Sequence, residues 1–227
     1  MKRLCLGLLL LAVPFLIQAQ TVARLMQLPD VSDTQITFTF GDDIWVAPKD
    51  GVVAIRLTSP VGPEMYPRFS PDRTQIAFSA NYNGNYDVYL MSAAGGVPTR
   101  LTYHGMPDMV QGWTPDGKSV LFTSGWESGK ERFSQFYTVP VIGGLPTKLP
   151  VPYGEFASYS PNGKRFAYTD RSRVNRNWKR YRGGTAPYIL LFDLAGYKTE
   201  NITNNAANDE LPMWIGDAVY LFVRQWT

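Results

Sequence analysis

The chain has 227 residues, 44% of them hydrophobic, 14% aromatic and 18% charged, which is enough apolar material for a packed core and too little charge for a disordered chain. Its formal balance of +3 falls to within about one charge of neutrality once the leader described next is removed, so charge gives no support to a nucleic-acid partner. A single cysteine and a single histidine exclude a disulfide framework and a multi-ligand zinc site.

Met1-Lys2-Arg3 precedes an apolar run from Leu4 to Ile17 and then Gln18-Ala19-Gln20. A short basic start, an apolar stretch too short to span a bilayer and a small residue at its end read as a secretory signal peptide over residues 1–19, cleaved after Ala19. The alternative of a transmembrane anchor is opposed by Pro14 and by the length of the run. Cys5 lies at the start of that run, where no lipoprotein could begin, and it leaves with the leader. The expectation is an exported protein, periplasmic or secreted, without a membrane partner after cleavage. The Asn201-Ile202-Thr203 sequon reads as a chance match.

Beyond the leader the aromatic, glycine and proline content suits an all-β protein with many turns. A first unit opens with Leu28-Pro29-Asp30-Val31-Ser32, continues through Gln35 to Phe40, turns at Gly41-Asp42-Asp43, returns through Ile44 to Ala47, turns at Lys49-Asp50-Gly51 and closes with Ala54 to Thr58. Then Tyr66-Pro67-Arg68-Phe69-Ser70-Pro71-Asp72-Arg73 introduces a segment that returns as Gly112-Trp113-Thr114-Pro115-Asp116-Gly117 and as Ser158-Tyr159-Ser160-Pro161-Asn162-Gly163, with a worn copy at Pro212 to Phe222. Pro71, Pro115 and Pro161 recur at a period of about 45 residues, the signature of a β-propeller.

Ser/Thr-Pro-Asp/Asn-Gly reads as a type I turn: proline presets φ, the hydroxyl bonds back to the backbone, and glycine takes positive φ. Arg73 stands where glycine belongs, so local strain is expected there. The residues that follow alternate, with Ile76 and Phe78, Val120 and Phe122, and Phe166 and Tyr168 each sharing a strand face. Further strands are expected over 87–92, 98–102, 135–140, 146–149, 188–193 and 199–203, several ending in Leu-Thr or Ile-Thr. The fold class is therefore an all-β propeller of four-stranded blades, placed at about 22–69, 70–113, 114–159 and 160–209, with the start of a fifth over 210–227. A fifth blade without its outer strands reads as a piece of something longer.

The fourth blade is longer than its neighbours by about 8–10 residues. The excess, Arg171 to Gly184, holds six basic residues and two aromatics and no acid. It is either an ordinary solvated loop or a basic lip that receives carboxylates, since the arginine fork binds a carboxylate bidentately. The residues placed on a peptide path are Trp178, Lys179, Arg180 and Arg182. No catalytic residue, cofactor or metal is expected. His104 lacks a nucleophile elbow to serve, and Asp42-Asp43, a conceivable calcium pair, reads as a hairpin cap. The boxes common in sialidase-like propellers are absent.

The repeats resemble the PD40 blades of TolB-like propellers. Leu28 to Ser32 with Ile36-Thr37-Phe38 and Asp42-Asp43-Ile44-Trp45, the order of the turns, and above all Trp178-Lys179-Arg180-Tyr181-Arg182-Gly183-Gly184-Thr185 are similar to the N-terminal propeller of tricorn-type, S41-related serine peptidases. The resemblance covers residues 22–224. It implies a six-bladed propeller that admits or handles peptides or unfolded polypeptides beside a protease chamber, with further domains of the full-length protein and a homo-oligomer as partners. It also implies that the catalytic residues lie downstream, so that this part is inactive alone. A paired-arginine anchor that some relatives carry before the third blade is missing from the corresponding Tyr103 to Asp108, which puts their exopeptidase-like product pattern in doubt here. The competing readings are a TolB-like periplasmic binding or scaffold propeller without peptidase activity, and the propeller cap of a prolyl-oligopeptidase-like enzyme.

Overall fold

The computed structural model describes residues 25–51, 53–59, 61–128, 134–172, 174, 184, 186–205 and 207–224. Among them are eighteen strands in five antiparallel sheets. Sheet one is β1 (Gln27–Val31), β2 (Gln35–Phe40), β3 (Asp43–Pro48) and β4 (Ile55–Arg56); sheet two is β5 (Glu64–Phe69), β6 (Gln75–Ala80), β7 (Asp87–Ser92) and β8 (Thr99–Arg100). Sheet three is β9 (Asp108–Trp113), β10 (Ser119–Ser124), β11 (Gln135–Pro140) and β12 (Thr147–Lys148); sheet four is β13 (Glu155–Tyr159), β14 (Arg165–Thr169), β15 (Ile189–Asp193) and β16 (Lys198–Asn201). Sheet five pairs β17 (Asn208–Ile215) with β18 (Ala218–Arg224). Within each sheet the strands neighbour one another in chain order. The first strands also lie side by side, β1 on β5, β5 on β9, β9 on β13 and β13 on β17, which arranges the sheets like blades around an axis.

The expected turns close as read. The amides of Arg73, Gly117 and Gly163 donate to the carbonyls of Ser70, Thr114 and Ser160 at 2.9 Å. The hydroxyls of Ser70, Thr114 and Ser160 donate to Asp72, Asp116 and Asn162 and accept the amides of Gln75, Ser119 and Arg165. Gly117 and Gly163 sit at φ +70° and +68°, and Arg73 at +64°, so the arginine occupies the left-handed conformation its neighbours leave to glycine.

These turns lie inside the sheets, joining first strand to second, which corrects the blade limits set at 69/70, 113/114 and 159/160: each cuts a sheet between its first two strands. The outer strands are also shorter than expected, two residues each in sheets one to three, because their far edge has no partner to hold it.

The alternation on the second strands has a simple packing cause. Each inner sheet is sandwiched between two others, so both faces are buried. Ile76 and Phe78 pack towards sheet one against Ile44 and Val46, while Ala77 joins Val110, Val120 and Phe122 on the other side. Leu121 and Phe136 face sheet four, meeting Phe166 and Tyr168. Phe78, Phe122 and Phe166 are fully buried, each contributing about 1.5–3 kcal/mol.

Every first strand also carries a register shift. Leu28, Tyr66 and Leu211, each followed by proline, take φ between +52° and +57° there. The bulges re-aim one residue per first strand. Leu28, Tyr66, Val110, Phe156 and Leu211, four residues before Ser32, Ser70, Thr114, Ser160 and Ile215, pack into one cluster, with the Tyr66 and Phe156 rings 6.1 Å apart. No helix among the described residues is long and apolar enough to cross a membrane.

Candidate functional site

The first strands all run away from one end of the sheets, here called the upper rim. That rim carries the hairpins between second and third strands and the connections from each fourth strand to the next first strand. Two devices built from repeated positions shape it.

The first joins consecutive sheets. The Thr58 hydroxyl, just past β4, accepts the Ile44 amide at 2.9 Å and donates to Glu64 at the head of β5. Glu64 also takes the Ile44 amide at 2.9 Å and the Tyr82 hydroxyl. Burial outweighs these donors and raises its carboxyl above the usual range. Thr102 repeats the placement, accepting the Val88 amide at 2.9 Å, with Asp108 six residues on at the head of β9. Thr203 accepts the Ile189 amide at 3.0 Å, and its acid, Asp209, takes Asn205 Nδ2 at 2.9 Å. Between sheets three and four both partners are missing. Pro150 and Gly154 stand in their places, and a Cβ on Gly154 would lie 2.7 Å from the rings of Phe136 and Tyr168.

The second device braces a sheet against its own fourth strand. Arg56 reaches Asp43 at 3.0 Å and the Thr58 carbonyl at 2.7 Å; Arg100 reaches Asp87 at 2.7 Å and the Thr102 carbonyl at 2.7 Å. Asp43 is thus an ion-pair partner, as a hairpin brace, and among the described residues no group of three or more metal-type ligands gathers. Asp87 is fully buried.

His104 lies between these devices in the connection to sheet three. Its Nδ1 accepts the Met106 amide at 3.1 Å, and its Nε2 stands 3.1 Å from Asp108 Oδ1 and 3.5 Å from Ser124 Oγ. The ring stacks on Trp126, centroids 4.9 Å apart and 22° between planes. A serine, a histidine and an aspartate therefore meet, but not as a catalytic triad: the carboxylate and the hydroxyl share one ring nitrogen, and the other already accepts a backbone amide. Burial lowers the imidazole's pKa and pushes Asp108 up to about 7.

Trp178, Lys179, Arg180 and Arg182 lie outside the described residues, as does the leader 1–19. The two ends of the basic segment are described. Arg171 Nη1 donates to the Gly184 carbonyl at 3.3 Å, drawing the ends together, and Val174 packs against the cluster holding Leu28, Tyr66, Val110, Phe156 and Leu211. At the opposite end of the sheets, Trp113, Tyr159 and Trp214 with the three turn prolines line a cavity of about 500 Å³, and burial pushes the Tyr159 hydroxyl up to about 12.

Reading by residue missed Arg100, Asp87, Thr102 and Asp108 as a group. The signal was present: Asp43/Arg56 and Asp87/Arg100 share one spacing, and Thr58/Glu64, Thr102/Asp108 and Thr203/Asp209 share another.

A family model described as the tricorn protease N-terminal β-propeller domain matches residues 23–223. Tricorn protease homolog 1 of Streptomyces coelicolor is 32% identical over 203 residues, covering 86% of this chain, which spans 18% of that protein's length. Among solved structures the tricorn protease superposes with a TM-score of 0.75 at 22% identity, over 87% of this chain and 20% of that one. A TolB from Agrobacterium tumefaciens superposes with a TM-score of 0.67 at 21% identity, over 83% of this chain and 65% of that one.

Proposed function

Because the chain belongs to the tricorn protease N-terminal β-propeller family, we propose that it is the non-catalytic propeller part of an exported tricorn-like, S41-related serine peptidase and that its upper rim guides or gates peptide substrates. The observation that supports this is at the described ends of the basic segment, where Arg171 donates to the Gly184 carbonyl and Val174 packs against the cluster of Leu28, Tyr66, Val110, Phe156 and Leu211. Guanidinium groups there would take peptide carboxylates as bidentate partners.

The test is binding of peptides with free or amidated C-termini to the full chain, alone and with Arg180→Glu/Arg182→Glu. Preference for the free carboxylate, weakened at least tenfold by the double substitution, supports the rim as a peptide site. Equal binding of both peptides, or no change in the variant, returns the segment to a solvated loop. Export is tested separately: the protein recovered from the cell envelope or medium should begin at Gln20, and a retained leader would refute it.

The likeness to TolB supports a second reading, a periplasmic scaffold propeller without peptidase activity. The readings part on partners. Co-isolation with a serine peptidase domain favours the first, and isolation with envelope proteins alone favours the second.

A further inference from the structure

We propose that His104 is a proton-controlled latch that holds the 103–107 connection down on the upper rim, with Asp108 beside it taking the first proton. The connection is closed onto its own histidine. Met106 donates its amide to His104 Nδ1 at 3.1 Å, so that nitrogen carries no proton and the ring hydrogen sits on Nε2, 3.1 Å from Asp108 Oδ1. Asn85 Nδ2 fastens the same loop from below, donating to the carbonyls of His104 at 2.9 Å and Met106 at 3.0 Å. Trp126 covers the ring.

The charged and titratable groups around the histidine come from every neighbouring strand. Asp87 on β7 is matched by Arg100 on β8 at 2.7 Å, and Arg100 also lies over the Tyr103 ring at 4.7 Å. Asp108 on β9 lies near Thr102 and Ser124 with its carboxylate buried, and Tyr137 on β11 lies beside Glu127. Burial raises Asp87 despite Arg100, so Asp87 titrates alongside His104 and Asp108, and its charge favours the protonated imidazole.

The first proton goes to the pair without disturbing the loop, because Asp108 accepts it and Nδ1 stays a bare acceptor. Burial holds Asp108 at about 7, so this step falls near neutrality. The second proton must go to Nδ1, where it faces the Met106 N–H donor-to-donor and the hydrogen bond is lost. Burial holds that step below the usual histidine value of 6.5. The sign follows: a lowered histidine contributes stability that is present above its unfolded pKa and lost as pH falls through the folded one. The loop is therefore latched at neutral pH and released on acidification. The latch stands independently of whether the rim binds peptides.

The chain's only histidine gives one set of imidazole resonances. In the full chain, nitrogen-15 NMR at pH 7.5 should show the Nε2–H tautomer, with a midpoint below 6.5 on titration. Hydrogen exchange of the Met106 amide, corrected for its intrinsic pH dependence, should accelerate at least tenfold across that midpoint. A fluorescence step should accompany it and vanish in Trp126→Phe. Asp108→Asn should remove the upper step while leaving the Met106 release in place. An Nδ1–H tautomer at pH 7.5, a midpoint at or above 6.5, or Met106 protection unchanged through the titration would each overturn the latch.

Discussion

Thr58→Val should destabilise the chain by about 1–2 kcal/mol at pH 8 and by less at pH 5. Valine keeps the shape and β-branching, so the change isolates the hydroxyl. That hydroxyl is buried, accepts the Ile44 amide at 2.9 Å and donates to Glu64. A buried polar group left short of a partner costs about 1–3 kcal/mol. Neither neighbour is fully orphaned, because Ile44 still donates to Glu64 at 2.9 Å and Tyr82 still donates to it, which places the expectation in the lower half of that range. The pH dependence follows from Glu64. Its carboxyl is already raised by burial, and losing the Thr58 donor raises it further. A raised acid contributes its full stability below the unfolded value and loses it as pH rises through the folded one, so the penalty grows with pH. Glu64→Gln removes the ionisation, and combining it with Thr58→Val should recover a coupling of about 0.5–2 kcal/mol. Urea unfolding followed by tryptophan fluorescence at pH 5 and pH 8, with unchanged m, gives each value. A cost under about 0.5 kcal/mol at both pH values, or one that shrinks as pH rises, would refute the clasp.

Two further changes test neighbouring features. Arg73→Gly relieves a left-handed arginine at the price of an exposed pair with Asp33 at 3.0 Å, and should raise stability by up to about 1 kcal/mol, or about 2–4 °C in Tm, in a thermal melt; a fall would show that the arginine's contacts outweigh its strain. Arg100→Met strands the fully buried Asp87 and should cost about 3–5 kcal/mol at pH 8 and clearly less at pH 5, where Asp87, already raised by burial, is more protonated; a cost independent of pH would assign the loss to packing rather than charge.

The turns and the alternation were legible because both are local. Ser70-Pro71-Asp72 contains all the atoms of its own hydrogen bonds, and Ile76/Phe78 reveal a strand face without reference to any partner. The strain at Arg73 could be read from the same register. The phase of the sheets could not. The strongest repeated signal lies within a sheet, and the true boundary lies in connections such as 57–63, whose residues look unremarkable until Thr58 is seen to hold Glu64. His104 was equally opaque: its partners Asn85, Asp108, Ser124 and Trp126 come from three sheet positions and acquire meaning only through register.

The exception among the connections shows that the clasp is a property of position rather than of composition. Where Pro150 replaces threonine, the acid position is Gly154, and the rings of Phe136 and Tyr168 fill the space a side chain would need. Keeping the acid without the threonine would bury a carboxyl with one donor fewer, and keeping the threonine without the acid would leave its hydroxyl proton unused. Losing both and packing aromatic rings into the gap satisfies the same junction with apolar contact. The third sheet is thereby joined to its neighbours in two different ways, by the His104–Asp108 pair on one side and by an apolar ring contact on the other. Release of the 103–107 connection on acidification is consequently expected at the His104 side of that sheet.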